Sequence, residues 1–137
     1  MNIKIKRKYS DIPKVSISEH EIQEVFLNLL INARDSMKKK GGLITIESTS
    51  NSKYAEMKVS DTGKGIKEEN IEKLFEPFYT TKGALGGDAE LKGTGLGLSV
   101  CYGIIERHKG AIEVESKLGK GTTFTIKLPI KRKESER

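Results

Sequence analysis

The stretch SDTGKGI, residues 60–66, sets an acid at what reads as the end of a strand and follows it with glycines. Before it, Ala55, Met57 and Val59 alternate with Glu56, Lys58 and Ser60. Side chains two apart share a face of a strand, so Asp61 carries the parity of the apolar row. A carboxylate aimed inward must meet hydrogen-bond donors or suffer a heavy desolvation cost, and when ionised it can only accept. Two arrangements supply donors. One is an Asx-type turn at the strand end. The other is a bound ring with an exocyclic amine, such as a purine, with Gly63 and Gly65 letting the backbone turn sharply and approach the flat ring.

Three further groups could share such a site. Glu24, Asn28 and Asn32 are spaced by four in FLNLLINA and its approach, so on a helix each lies only ~40° around from the last. Asparagine is a mediocre helix former and interrupts an otherwise apolar run. The stripe either faces water or walls a cavity where a neutral amide oxygen meets a hard cation. Next, Lys92-Gly93-Thr94-Gly95-Leu96-Gly97-Leu98 opens directly into a helical pattern. Successive glycine amides at a helix N-terminus form an anion cradle. No strand precedes this run and no Lys-Ser/Thr follows it, so it is neither a dinucleotide fingerprint nor a Walker loop. Finally, in Gly121-Thr122-Thr123-Phe124, Thr122 shares parity with Phe124, Ile126 and Leu128, so its hydroxyl points inward, where it could bond Asp61 or a bound ring.

The elements that must position these groups are legible. NIKIKRKY alternates and reads as an edge strand. Ser18, with Glu21 three residues on, forms a capping box opening a long helix whose apolar face is Ile22, Val25, Phe26, Leu29, Ala33 and Met37 and whose end is Gly41-Gly42. LITIES and YAEMKVS are strands joined through Ser50-Asn51-Ser52. EENIEKLFE is a short helix stopped by Pro77. Residues 79–97 form a long loop holding six of the fourteen glycines. LGLSVCYGIIERH is a helix closed by Gly110, and AIEVES and TTFTIKLP are strands joined by Leu118-Gly119-Lys120-Gly121. No repeat or linker interrupts the series. The pattern predicts one α+β domain: a two-layer α/β sandwich with strands pairing largely with sequence neighbours and helices on one face.

Composition agrees. The 137 residues carry 35% hydrophobic and 32% charged side chains, enough for one core and too few for two. No apolar run approaches the ~20 residues that span a bilayer, and MNIKIKRKYS has no secretory core. The one cysteine, Cys101, excludes an internal disulfide and lies at helical spacing from Leu98, Ile104 and Ile105, as a buried thiol would. Net charge is +6, with a pI near 9.3, which permits an anionic partner without selecting one. Lys38–Lys40 read as cations at the negative end of a helix, and KRKESER as a solvated tail. Aromatics in strands (Tyr9, Tyr54, Phe124) are too scattered for a base-stacking sheet, so no nucleic acid is expected.

The order of the boxes resembles one family closely. Helix asparagines, strand–Asp–x–Gly–x–Gly, LFEPFYTTK, a Gly-x-Gly-x-Gly opening a helix, and Gly-Thr-x-Phe together resemble the catalytic, ATP-binding domain of sensor histidine kinases, within the gyrase–Hsp90–histidine kinase–MutL superfamily. The match runs from about Ile3 to Leu128, and LFEPFYTTK looks most like the nitrogen-regulator type. The resemblance implies a Bergerat-type sandwich with a mixed five-stranded sheet and about three helices on one face. It further implies that Asn32 ligates Mg²⁺, that Asn28 lines the phosphate site, and that Asp61 accepts from the adenine amino group. Gly63, Gly65, Ile66 and Thr122 would complete the base pocket. The lid would be residues 79–96, with Thr81, Lys82, Gly93, Thr94, Gly95, Leu96, Gly97 and Leu98 around the phosphates and Lys82 touching the γ-phosphate. ATP and Mg²⁺ would be the cofactors, with Asn28 and Lys82 the catalytic residues.

Two departures shape the reading. Many such kinases carry a basic residue three positions after the metal asparagine, where this chain has Asp35; the adjacent Arg34 is ~200° around the helix from Asn32. ATP hydrolases of the superfamily place a base-supplying glutamate one turn before that asparagine, where this chain has Asn28. An amide positions but cannot take a proton, whereas a neutral imidazole already offers a lone pair. The reading is therefore transfer of the γ-phosphoryl group to a histidine on a separate dimerisation and phosphoacceptor domain, with a response regulator downstream. An ATP-hydrolysing or nucleotide-sensing module of the same superfamily is the alternative. His20-Glu21 echoes an acceptor motif but sits at a helix start, and His108 reads as serving a helix end. The chain thus reads as a monomeric module of a larger bacterial or archaeal protein, cytoplasmic and without membrane contact of its own.

Overall fold

The computed structural model describes residues 3–10, 17–74 and 97–130. The expected lid (79–96), the LFEPFYTTK segment beyond Leu74, and the tail (131–137) lie outside them. In chain order the elements are β1 (Ile3–Lys8), α1 (Glu19–Ser36), β2 (Gly42–Ser50), β3 (Tyr54–Asp61), α2 (Glu68–Ile71), α3 (Gly97–Arg107), β4 (Ala111–Lys117) and β5 (Gly121–Pro129). They form a mixed five-stranded sheet in the order β1-β2-β3-β5-β4. β1 runs parallel to β2, and every other pair is antiparallel.

The sheet has one apolar and one polar face because each strand alternates. Ile44, Val59, Phe124, Ile126 and Leu128 point into a core shared with Ile22, Val25, Leu29, Ala33 and Met37 of α1 and Cys101, Ile104 and Ile105 of α3. The opposite parity carries Lys58, Ser60, Thr123 and Lys127, with a Ser60–Thr123 hydroxyl pair at 2.9 Å and a Lys127–Glu113 ion pair at 3.2 Å. At the β2–β3 corner, Asn51 Oδ1 accepts from the backbone N–H groups of Lys53 and Tyr54, both at 2.8 Å. That Asx turn sets the register Ser50↔Ala55.

α1 and α3 run antiparallel: Glu21 meets Arg107 at 2.6 Å, the Cys101 thiol donates to the Val25 carbonyl at 3.8 Å, and Asn28 lies beside Gly97. Burial pushes the Cys101 thiol up to about 11, as expected for an inert core sulfur.

The helix ends differ from the sequence expectation in instructive ways. Ser18 is the N-cap of α1 and accepts from Glu21 N–H at 3.4 Å, but only half of the capping box forms. The Ser18 N–H donates to His108 Nε2 at 2.9 Å, while the Glu21 carboxylate is taken by Arg107. Partners from the end of α3 have displaced the local one. His108 Nδ1 lies 2.8 Å from the Ile104 carbonyl. Because Ser18 donates to Nε2, Nδ1 carries the proton, and the ring links the N-cap N–H of α1 to the Ile104 carbonyl of α3, which also accepts the His108 backbone N–H at 3.2 Å. α1 itself ends at Ser36, before Gly41-Gly42; the Met37 N–H turns back to the Arg34 carbonyl, and Gly41, at φ 73°, closes the turn. After α3 it is Lys109 that adopts the left-handed conformation, at φ 61°, not Gly110. Gly110 is needed for a different reason: a Cβ there would strike the Lys127 carbonyl of β5.

The His108 bridge is testable. His108→Ala leaves the Ser18 N–H and the Ile104 carbonyl without the ring and should lower unfolding free energy by about 1–2 kcal/mol. Urea denaturation measures this, and amide exchange at the start of α1 should accelerate most. An unchanged midpoint and exchange pattern would show that the bridge contributes nothing.

Candidate nucleotide site

Asp61 ends β3 between the last turn of α1 and the start of β5. Its Oδ1 accepts from the Gly63 backbone N–H at 2.8 Å and from Ser36 Oγ at 3.1 Å. The first bond is the Asx turn, so that reading of the sequence is correct. Both of these bonds fall on Oδ1, and the Thr122 backbone is a third hydrogen-bond partner of the carboxylate. Burial raises Asp61 above the ordinary carboxylate value, and the hydrogen bonds from Gly63, Ser36 and the Thr122 backbone oppose the shift.

The glycines after Asp61 are required by the protein itself. A Cβ on Gly63 would run into Ser36 of α1, and one on Gly65, at φ 76°, into the Lys117 carbonyl of the β4–β5 turn. The loop is therefore pressed between α1 and that turn. The Lys64 N–H donates to the Ser36 carbonyl at 3.1 Å, and the Gly119 N–H donates to the Lys64 carbonyl at 2.7 Å. These contacts were not legible from the motif, which gave the sharp turn but not its neighbours.

Thr122 lies opposite Asp61 in the β3–β5 ladder and is buried. Its hydroxyl does not bond the Asp61 side chain; it pairs with Ser116 Oγ at 2.8 Å. Ser116 also accepts the Ile66 N–H at 2.8 Å and lies 2.9 Å from the Gly121 carbonyl. One hydroxyl thus ties together the backbone at Ile66, the β5 start and Thr122.

The stripe on α1 faces α3 at its middle. Asn28 is half-buried beside Gly97 and hydrogen-bonds the Cys101 thiol, whereas Glu24 is exposed and acts on that thiol only through its charge. Asn32, one turn beyond Asn28, is half-buried, and its amide makes no hydrogen bond among the described residues. The stripe is therefore half-buried at Asn28 and Asn32 and exposed at Glu24. Arg34 turns to Asp35 at 3.3 Å, with the Asp35 side chain 4% exposed and that of Arg34 54%. Leu98 packs partly against the core. Of the sequence-assigned residues, Asn28, Asn32, Asp61, Gly63, Gly65, Ile66, Gly97, Leu98 and Thr122 fall among the described residues. Thr81, Lys82, Gly93, Thr94, Gly95 and Leu96 do not. Sequence reasoning missed Ser36 and Ser116. The first continues the spacing by four from Glu24 through Asn28 and Asn32; the second is a polar residue at the inward parity of AIEVES.

Among the described residues no three His, Cys, Asp or Glu side chains converge on a metal position. A cation beside Asn32 would then rest on an amide oxygen and on ligand oxygens, a donor set suited to Mg²⁺, which keeps few protein ligands.

The raised pKa of Asp61 makes its ionised form a burden on the unliganded fold. The folded state holds the proton to higher pH than the unfolded chain, so the penalty is absent below the unfolded value of 3.8. It grows as pH rises through the folded value and is complete above it. Asp61→Asn keeps an oxygen for Gly63 and Ser36 while removing the charge. It should stabilise the empty protein at neutral pH, by a margin that shrinks as the pH is lowered into the carboxylate range. Thermal melts of both proteins across that range measure it; a pH-independent difference would contradict the assignment.

The family comparison fits this geometry. Residues 17–132 match the model of the histidine kinase-, DNA gyrase B-, and HSP90-like ATPase family. Sporulation kinase C of Bacillus subtilis is 35% identical over 132 residues, covering 95% of this chain and 29% of that protein. Sensor histidine kinase ZraS of Escherichia coli K12 is 35% identical over 119 residues, covering 87% and 24%. The chain therefore spans less than a third of the length of these relatives. Among solved structures, the nucleotide-free catalytic domain of histidine kinase ThkA superposes with a TM-score of 0.75 at 32% identity, covering 93% of this chain and 80% of that one. Full-length ShkA in complex with AMPPNP superposes with a TM-score of 0.75 at 27% identity, covering 93% and 25%. With the asparagine helix, the Asp61 turn and the β5 threonine in one fold, the chain belongs to the histidine kinase-, DNA gyrase B-, and HSP90-like ATPase family.

Proposed function

We propose that this domain binds ATP with Mg²⁺ and donates the γ-phosphoryl group to a histidine on a separate dimerisation and phosphoacceptor domain, within a two-component kinase that signals to a response regulator. The observation that carries the reading is the Asp61 carboxylate, half-buried and inward at a strand end, with the Ser36 and Gly63 donors both on Oδ1. Its second oxygen suits the exocyclic amine of adenine, with Gly63, Gly65, Ile66 and Thr122 around the base. Asn32 would hold Mg²⁺, which neutralises phosphate charge when bound, and Asn28 would line the phosphates beside Gly97, at the N-terminal end of α3. Gly97 and Leu98 begin that helix. Thr81, Lys82, Gly93, Thr94, Gly95 and Leu96 are assigned from the sequence as the lid-side contacts, within a lid at 79–96. The AMPPNP held by ShkA supports a nucleotide in this fold.

The acceptor imidazole attacks phosphorus with its own lone pair while the bond to the bridging oxygen of ADP breaks. The work left to this chain is positioning and charge neutralisation. Asn28 has no basic atom with which to deprotonate water, so hydrolysis is disfavoured. Among the described residues no helix is long and apolar enough to cross a membrane. The reading is of a monomeric module in the cytoplasm of a bacterium or archaeon, with neither nucleic acid nor membrane as partner.

Calorimetry separates the two halves of the site. Asp61→Asn should weaken both ATP and adenosine by about tenfold or more, since an amide NH₂ can then oppose the adenine amine. Asn32→Ala should weaken ATP–Mg²⁺ far more than adenosine. Wild-type affinity in both variants would end the assignment.

The reaction is tested with γ-labelled ATP. The domain alone should bind ATP, hydrolyse it slowly and remain unlabelled, since neither His20 nor His108 accepts phosphate. Adding candidate acceptor domains should yield an acid-labile phosphoramidate on the cognate one, and Asn28→Glu should raise hydrolysis. Brisk ATPase activity in the unmodified domain would favour a hydrolase instead.

A further inference from the structure

We infer that Ser36 is a positioning residue that fixes the Asp61 carboxylate for recognition of a 6-amino purine, and that α1 thereby couples the base end of the site to its metal end. The inference rests on the nucleotide reading above. Ser36 Oγ lies 3.1 Å from Asp61 Oδ1 and 3.1 Å from the Ala33 carbonyl. It has one proton and two acceptors. The ionised carboxylate is the stronger acceptor, so the proton goes to Asp61 rather than back to the helix. Donation from Ser36, added to that from Gly63, engages Oδ1 and, with the Thr122 backbone bond, fixes the plane of the carboxylate, so that Oδ2, which neither Ser36 nor Gly63 engages, serves as the acceptor for a ligand amine.

The position of Ser36 is itself constrained. The Gly63 Cα is packed against it so closely that no side chain fits, and the Ser36 carbonyl accepts the Lys64 N–H at 3.1 Å. Ser36 cannot shift without moving the whole Asp61–Gly65 turn. It also sits one helical turn beyond Asn32, ~40° around the axis. A rigid helix therefore sets the spacing between the residue assigned to the metal and the residue that aims the base acceptor. No other side chain among the described residues bonds the Asp61 carboxylate.

The test compares ATP with purine riboside triphosphate, which lacks only the 6-amino group, in the full domain with Mg²⁺. The wild type should prefer ATP, and Asp61→Asn should abolish the preference. Ser36→Ala should reduce that preference about five- to tenfold, by weakening ATP while leaving purine riboside triphosphate nearly unchanged. Loss of the Ser36 donor removes one influence that lowers the Asp61 pKa. The acid limb of ATP binding should therefore move to higher pH in Ser36→Ala. Ser36→Cys, with a weaker donor of similar shape, should fall between the two, and it serves alone if the alanine variant fails to fold. Equal weakening of both nucleotides by Ser36→Ala would show a merely structural role and overturn the inference. So would an unchanged ATP preference in either Ser36 variant. If Asp61→Asn leaves ATP preference intact, the nucleotide assignment itself falls.

Discussion

The contact between the last turn of α1 and the end of β3 is the constraint on which the site depends. Asp61 could not face inward without the donors at Ser36 and Gly63, and those donors are in place only because the chain there is devoid of side chains. Gly63 lies against Ser36, Gly65 against the Lys117 carbonyl, and Gly121 against the Asp61 carbonyl. Gly42, at the start of β2, lies against Thr62 Oγ1 and Met37 Sδ. Four backbone segments meet where Cβ atoms would keep them apart. The motif glycines are thus first a condition of assembly, and any ligand inherits the cleft they permit.

Desolvation of the half-buried Asp61 carboxylate outweighs the three hydrogen bonds that oppose it and raises its pKa. Nothing in core packing calls for an acid at this position: Val59 and Ala55, two and six residues earlier, serve the same face as apolar groups. A carboxylate whose desolvation outweighs its hydrogen bonds is a physical mark of a candidate site, since under the proposed reading a ligand donor would offset that desolvation.

Much of this was legible in the sequence, and the reasons are physical. A strand buried on one face has a single parity, so Ala55, Met57 and Val59 set the direction of Asp61. The same logic placed the α1 core face and Thr122. What escaped were choices between local and distant partners. Ser18 and Glu21 read as a reciprocal box because the sequence shows only near neighbours; His108 and Arg107, some 90 and 86 residues away, displaced them. Gly110 read as the residue closing α3, whereas the approach of β5 demanded glycine there and left Lys109 to take the left-handed turn. The inward Thr122 hydroxyl read as a partner for Asp61 or a bound ring, whereas it pairs with Ser116 on the adjacent strand and only the Thr122 backbone bonds Asp61. Ser36 continued a stripe spaced by four, yet one more polar residue near a helix end gives no sign of what it touches.

The same distinction explains why α1 carries so much of the site. Its 18 residues span about 27 Å at ~1.5 Å per residue, long enough to pass Asn28 beside the start of α3 and still reach the end of β3 with Ser36. The apolar stripe at Val25, Leu29 and Ala33 locks its rotation against the sheet, and the antiparallel contact with α3 locks its height. A helix held in both rotation and translation presents Asn28, Asn32 and Ser36 as fixed points on one edge. Phosphate, metal and base functions spread over separate loops would each drift with their own loop. On one clamped helix they keep a common spacing, and under the proposed reading a ligand with a base at one end and phosphates at the other would be measured against it.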